Sequence, residues 1–114
     1  MHREDKRHEM IQVTQESRSG WTVVSVSGRA DAEAADDLET ALCSAIEGNS
    51  KIAADFAGVT YISSAGLRSV VQAARAAQVH KAEFVVCAAS PMVLKVFNMS
   101  GMQNIVRIEE QLPC

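Results

Sequence analysis

The residues best placed for chemistry stand in one short stretch, Tyr61-Ile62-Ser63-Ser64-Ala65-Gly66-Leu67-Arg68. Two adjacent hydroxyls, an alanine and a glycine separate an apolar run from the apolar stripe of a helix. The first turn of a helix leaves amide N–H groups without partners and carries partial positive charge. Three chemistries suit a serine in such a place. The first is capping, in which the hydroxyl of Ser63 or Ser64 accepts from an orphan amide, worth about 1 kcal/mol. The second is acceptance of a phosphate, which the helix end favours electrostatically. The third is nucleophilic catalysis, and it fails on spacing. A nucleophile elbow needs G-x-S-x-G; Gly66 follows Ser64 at the right distance, but Ile62 stands where the first glycine belongs. Local spacing by itself favours the cap over the phosphate acceptor. Gly66 lets another chain or a nucleotide approach the backbone closely. Arg68, one turn in, offers a cation or a partner contact.

Other reactive side chains give less. His2, His8 and His80 fall outside any metal-ligand spacing. Cys43 and Cys87 sit inside apolar patterns as small core residues, and Cys114 ends the chain. An odd cysteine count without a C-x-x-C pair indicates neither a disulfide framework nor a zinc site. A Walker loop and a dinucleotide fingerprint are both absent. No cofactor and no catalytic residue is therefore expected.

The elements that must hold the two serines can be read from periodicity. Met10 to Gln15 alternates and reads as a strand, followed by turn residues from Ser17 to Gly20. Trp21 to Ser27 is rich in β-formers, and Gly28 ends it. Asp31 is placed to cap a helix whose stripe is Ala34, Ala35, Leu38, Ala41, Leu42, Ala45 and Ile46, stopped by Gly48 and Asn49. Lys51 to Phe56 reads as a buried strand. The serine turn then leads into a helix with Leu67, Val70, Val71, Ala74 and Ala77 on one face. Glu83 to Cys87 is a further buried strand. Ser90 caps a helix with Pro91 at its first position, and Val93, Val96 and Phe97 face inward. Gly101 ends it, and Ile105 to Ile108 is the last strand. Alternating strands and helices after an opening hairpin predict parallel pairs joined by helices.

Bulk properties bound the rest. The chain has 114 residues, 47% hydrophobic and 22% charged, with a net charge of -3. One domain over residues 10–114 is expected, after a flexible charged tail over residues 1–9. That balance supplies no basic field for direct nucleic-acid binding. No apolar run reaches the roughly 20 residues that cross a bilayer, and the start of the chain lacks a signal-peptide core. Cytoplasmic residence, with no membrane contact, is the expectation.

Three blocks also resemble one known family. Asp55-Phe56-Ala57-Gly58-Val59-Thr60-Tyr61-Ile62-Ser63-Ser64-Ala65-Gly66-Leu67 is similar to the signature of STAS-domain anti-sigma factor antagonists. Val26-Ser27-Gly28-Arg29-Ala30-Asp31 resembles the family's S-G-x-x-D turn. Phe84 to Pro91, with Val96 to Gly101, resembles the later part of the domain. The resemblance implies an α/β STAS fold, a central mixed β-sheet of about five strands with three to four helices packed largely on one side. It implies a partner switch in which a serine-kinase anti-sigma factor of the histidine-kinase-like ATPase type phosphorylates the antagonist and a PP2C-type phosphatase restores it. By motif position the acceptor is Ser64; the serine before it makes Ser63 the alternative acceptor, and Asp31, Ser63, Ala65, Gly66 and Arg68 are the expected partner contacts. A non-switching STAS scaffold or ligand-sensing module is the other reading. Two departures stand out. Ser63 and Ala65 occupy positions where many members carry Asp and Ser or Thr, and the residues after the last strand are too few for a substantial final helix.

Overall fold

The computed structural model describes residues 11–113. The charged segment expected to be a tail lies outside the described residues, as does Cys114.

Strands β1 (Ile11–Arg18) and β2 (Trp21–Ala30) form the opening hairpin. Its two-residue turn puts Ser19 at φ 53° and Gly20 at φ 86°. Both central residues at positive φ suit the twist of tightly joined antiparallel strands. The chain continues through α1 (Ala35–Gly48), β3 (Lys51–Ile62), α2 (Ser64–His80), β4 (Glu83–Cys87), α3 (Pro91–Ser100), a single 3-10 turn (Met102–Asn104) and β5 (Arg107–Glu109). The sheet order is β1-β2-β3-β4-β5, antiparallel between β1 and β2 and parallel thereafter. Strand order thus advances in one direction only. Crossovers between parallel strands are right-handed, so every connecting helix falls on the same face, as the mixed-sheet expectation required.

That face carries the main core. Leu38, Leu42 and Ile46 of α1, Val70, Ala73 and Ala77 of α2, and Val93 and Phe97 of α3 pack on Val24, Val26, Ile52, Ala54, Phe56 and Val86. Phe56 and Phe97 meet with ring centroids 6.3 Å apart. The opposite face holds a smaller cluster, Trp21, Ala53, Val85 and Cys87, with Leu112 against it.

Several boundaries differ from the sequence reading. β2 runs past Gly28 to Ala30, and β3 is one strand through Ile62 rather than ending at Phe56. The pair survives its glycines because the register shifts between Ser25 and Ser27 and again between Gly28 and Arg29. Gly28 takes φ 105° there, and a Cβ on Gly58 would stand 2.6 Å from Ser27 Cβ. Bulges absorb what looked like strand ends. The last strand begins at Arg107, because Met102 to Ile105 close the 3-10 turn and leave Ile105 exposed. Residues 110–113 carry no helix, in line with the expected short ending.

Candidate functional site

The extra length of β2 and β3 builds the site. Their last pair, Ala30 and Ile62, lies beyond the end of β4's pairing, which stops at Asp55 with Cys87. Two residues later the chain must turn into α2, and Ser63 makes the turn. Its backbone is extended (φ -97°, ψ 176°) and its N–H donates to the Ala30 carbonyl at 3.0 Å. Its hydroxyl accepts from the Gly66 N–H at 3.2 Å and donates to the same Ala30 carbonyl at 3.3 Å. Ser63 is therefore the helix cap, with both hydrogen-bonding capacities of its hydroxyl in use.

Gly66 is buried beneath this junction. A Cβ there would stand 2.4 Å from the Ala30 oxygen and 2.9 Å from Ile62 Cγ1. The sequence reading had Gly66 admitting another chain or a nucleotide. The backbone that comes close is the protein's own, so Gly66 seats α2 and has no surface to offer a partner.

Ser64 is the first residue of α2 and is exposed. Among the described residues its hydroxyl has no hydrogen-bond partner. No acidic residue occupies the first turn of the helix, so the positive end of the helix dipole is uncompensated there. Ala65 is half-buried, and its carbonyl accepts from the Ser69 hydroxyl at 3.2 Å. Arg68 is exposed one turn along. From Ser64 a shallow groove of about 380 Å³ runs along α2, with Arg68 and Arg75 on its rim and Leu67, Val71 and Met102 as its apolar lining.

Asp31 was expected to cap α1. It caps the turn before it instead. Its Oδ1 accepts from the Ala34 N–H at 3.2 Å, while the helix proper starts at Ala35 from Ala34, which offers no side-chain cap. Asp31 Oδ2 stands 3.8 Å from Arg29 Nε. Arg29 in turn lies over the Tyr61 ring, 4.5 Å from its centroid. Asp31 follows the residue that binds Ser63, so it does share an edge with the serine turn.

A family model described as Mlab, STAS domain matches residues 13–107. The chain belongs to the STAS domain family. The protein BtrV of Bordetella bronchiseptica, assigned as an anti-sigma factor antagonist, is 30% identical over 96 residues, 83% of each chain. An anti-sigma factor antagonist from Mycobacterium paratuberculosis of known crystal structure superposes with TM-score 0.75 at 26% identity, over 90% of this chain and 87% of that one. The Bacillus cell fate determinant SpoIIAA in its phosphorylated form shares the fold at TM-score 0.62 and 21% identity, over 84% and 89%.

Within this STAS domain the supports of the serine turn were missed in the sequence. Ser69, buried at 2% exposure, donates to the Ala35 carbonyl of α1 at 2.7 Å. A polar residue inside the apolar stripe of α2 was the available signal. Leu67 and Val71, read as the core face, are half-buried and border the groove, because the buried line runs through Gly66, Val70, Ala73 and Ala77. Near the groove, Met99 is exposed and Met102 buried. Among the described residues there is no cluster suited to hold a metal ion, and no helix long and apolar enough to cross a membrane.

Proposed function

We propose that the protein is an anti-sigma factor antagonist controlled by phosphorylation of Ser64. In its unphosphorylated form it binds a serine-kinase anti-sigma factor of the histidine-kinase-like ATPase type. Phosphate on Ser64 releases that partner, and a PP2C-type phosphatase returns the antagonist to its binding form. The observation that carries this reading is the contrast between neighbours. The Ser63 hydroxyl is committed to the cap, whereas the Ser64 hydroxyl stands exposed at the first position of the helix. Only the second can be handed to a kinase without unmaking the junction.

The physics of release follows. A phosphate adds about -1.5 to -2 charge and three acceptor oxygens. In the first turn of α2 it meets the positive end of the helix and no acidic side chain of that turn, so the antagonist's own fold tolerates it. Against a docked surface the same group is bulky and charged, and it costs the complex its contact. Ala65 and Arg68 follow Ser64 along α2, and Asp31, next to the Ala30 that binds Ser63, completes the docking face; Ser63 and Gly66 act by holding the turn. The relatives described as anti-sigma factor antagonists, and the SpoIIAA fold known in a phosphorylated form, agree with this assignment.

The test is recovery of the partner from the native host with Ser64→Ala as bait, followed by incubation of the wild-type protein with that partner and ATP. Phosphate on Ser64, constitutive binding by Ser64→Ala and loss of binding by Ser64→Asp are expected. Tight binding by Ser64→Asp would overturn the proposal.

A further inference from the structure

The described residues include five arginines, and they divide into two groups. Arg18, Arg29 and Arg107 each lie within 4.0 Å of a carboxylate. Arg68 and Arg75 have no such partner among the described residues, and both stand on the rim of the groove that begins at Ser64. No carboxylate is among the described residues lining that groove. The chain as a whole carries -3, so this is a local reversal of sign and not part of a general basic field. Between the two cations the lining combines apolar Leu67, Val71 and Met102 with the uncharged polar Gln72 and Ser100.

We propose that the groove along α2 receives an acidic segment of the partner kinase, with apolar side chains against Leu67, Val71 and Met102 and carboxylates paired to Arg68 and Arg75. This inference rests on the antagonist reading above and names the chemistry of the partner's docking surface. Arg68 and Arg75 are seven residues apart, about 10 Å along the helix axis. The matching carboxylates on the partner stand about that far apart. Complementary charge at a rim sets approach and register, and the apolar strip between supplies the buried contact.

The same geometry gives the phosphate a second action. Ser64 and Arg68 are related by i and i+4, so their side chains are neighbours on one face. A phosphoserine at 64 takes Arg68 as its own partner through charge-assisted hydrogen bonds. The groove's two positive charges are then cancelled by about -2, and the partner's acidic segment loses the cations that received it. Release thus combines exclusion at Ser64 with neutralisation along α2.

The test uses the purified kinase recovered with Ser64→Ala and the full-length antagonist. The doubly substituted Arg68→Glu/Arg75→Glu protein, checked for an unchanged thermal transition, is expected to bind about tenfold or more weakly, with a flattened salt dependence. In a second arm Arg68→Lys and Arg75→Lys are treated with a zero-length carbodiimide reagent in the complex. The expected product is an amide between each lysine and an Asp or Glu of the kinase, located by mass spectrometry. If the kinase binds and is released by Ser64 phosphorylation, yet binds the Glu variant within twofold of wild type, the groove proposal is overturned and the switch stands. Crosslinks found only within the antagonist also overturn it. If no kinase is recovered, the antagonist reading fails and the groove proposal falls with it.

Discussion

The carbonyl oxygen of Ala30 and the α-carbon of Gly66 are packed so closely that a methyl group between them would sit 2.4 Å from the oxygen. That oxygen also receives the N–H and the hydroxyl of Ser63. One carbonyl at the end of β2 therefore fixes both the cap and the first turn of α2, and with them the direction in which Ser64 faces solvent.

The first prediction concerns that packing. Gly66→Ala is expected to destabilise the fold by at least about 1–3 kcal/mol, the usual range for overpacking. The obstacle is backbone, which cannot swing aside as a side chain would. Chemical denaturation reads the loss. A Gly66→Ala protein as stable as wild type would show that α2 is free to shift away from Ala30.

Ser63→Ala removes the cap and leaves the Gly66 amide without its acceptor. A cost of about 1 kcal/mol is expected, with phosphorylation at Ser64 retained after incubation with the kinase. Loss of the phosphate signal with Ser64 intact and the protein folded would instead mark Ser63 as the acceptor.

A phosphate or aspartate at 64 lies at the positive end of the α2 dipole with no acidic neighbour in the first turn. Ser64→Asp is therefore expected to leave stability unchanged or to raise it by about 0.3–1 kcal/mol, the gain shrinking as salt is added. Thermal melts at low and high ionic strength check it. A marked loss of stability would mean that phosphorylation works by unfolding the antagonist rather than by blocking its docking face.

Ser69→Ala is expected to cost about 1–3 kcal/mol, because the Ala35 carbonyl then loses its buried donor. Since α1 and α2 meet through this bond, amide exchange in the first turn of α1 should quicken together with that of α2. A change confined to α2 would show that the bond does not couple the helices.

How much of this was legible in the sequence depends on the range of the interaction. The α1 stripe, the Ser90-Pro91 start and the order of strands and helices are local patterns, and they read correctly, whereas the α2 stripe was placed partly off the buried line. The cap is local too, yet two adjacent serines left its position open, because spacing alone cannot say which hydroxyl points at Gly66. The long β2–β3 pair was hidden by Gly28 and Gly58, which act as bulge residues only when a partner strand is known. Arg29 over Tyr61, and Ser69 against Ala35, join residues 32 and 34 positions apart in the chain, and no periodicity reports such pairs. The groove was invisible for the same reason: Met102 reaches it only because α3 ends beside α2.

The most direct measurement is the affinity of the purified kinase for the antagonist before and after stoichiometric phosphorylation at Ser64, determined by calorimetry on the same preparation. A fall of about a hundredfold or more, equivalent to about 2.7 kcal/mol, restored in full by a PP2C-type phosphatase, is the predicted result. Equal affinity for the two forms would contradict it.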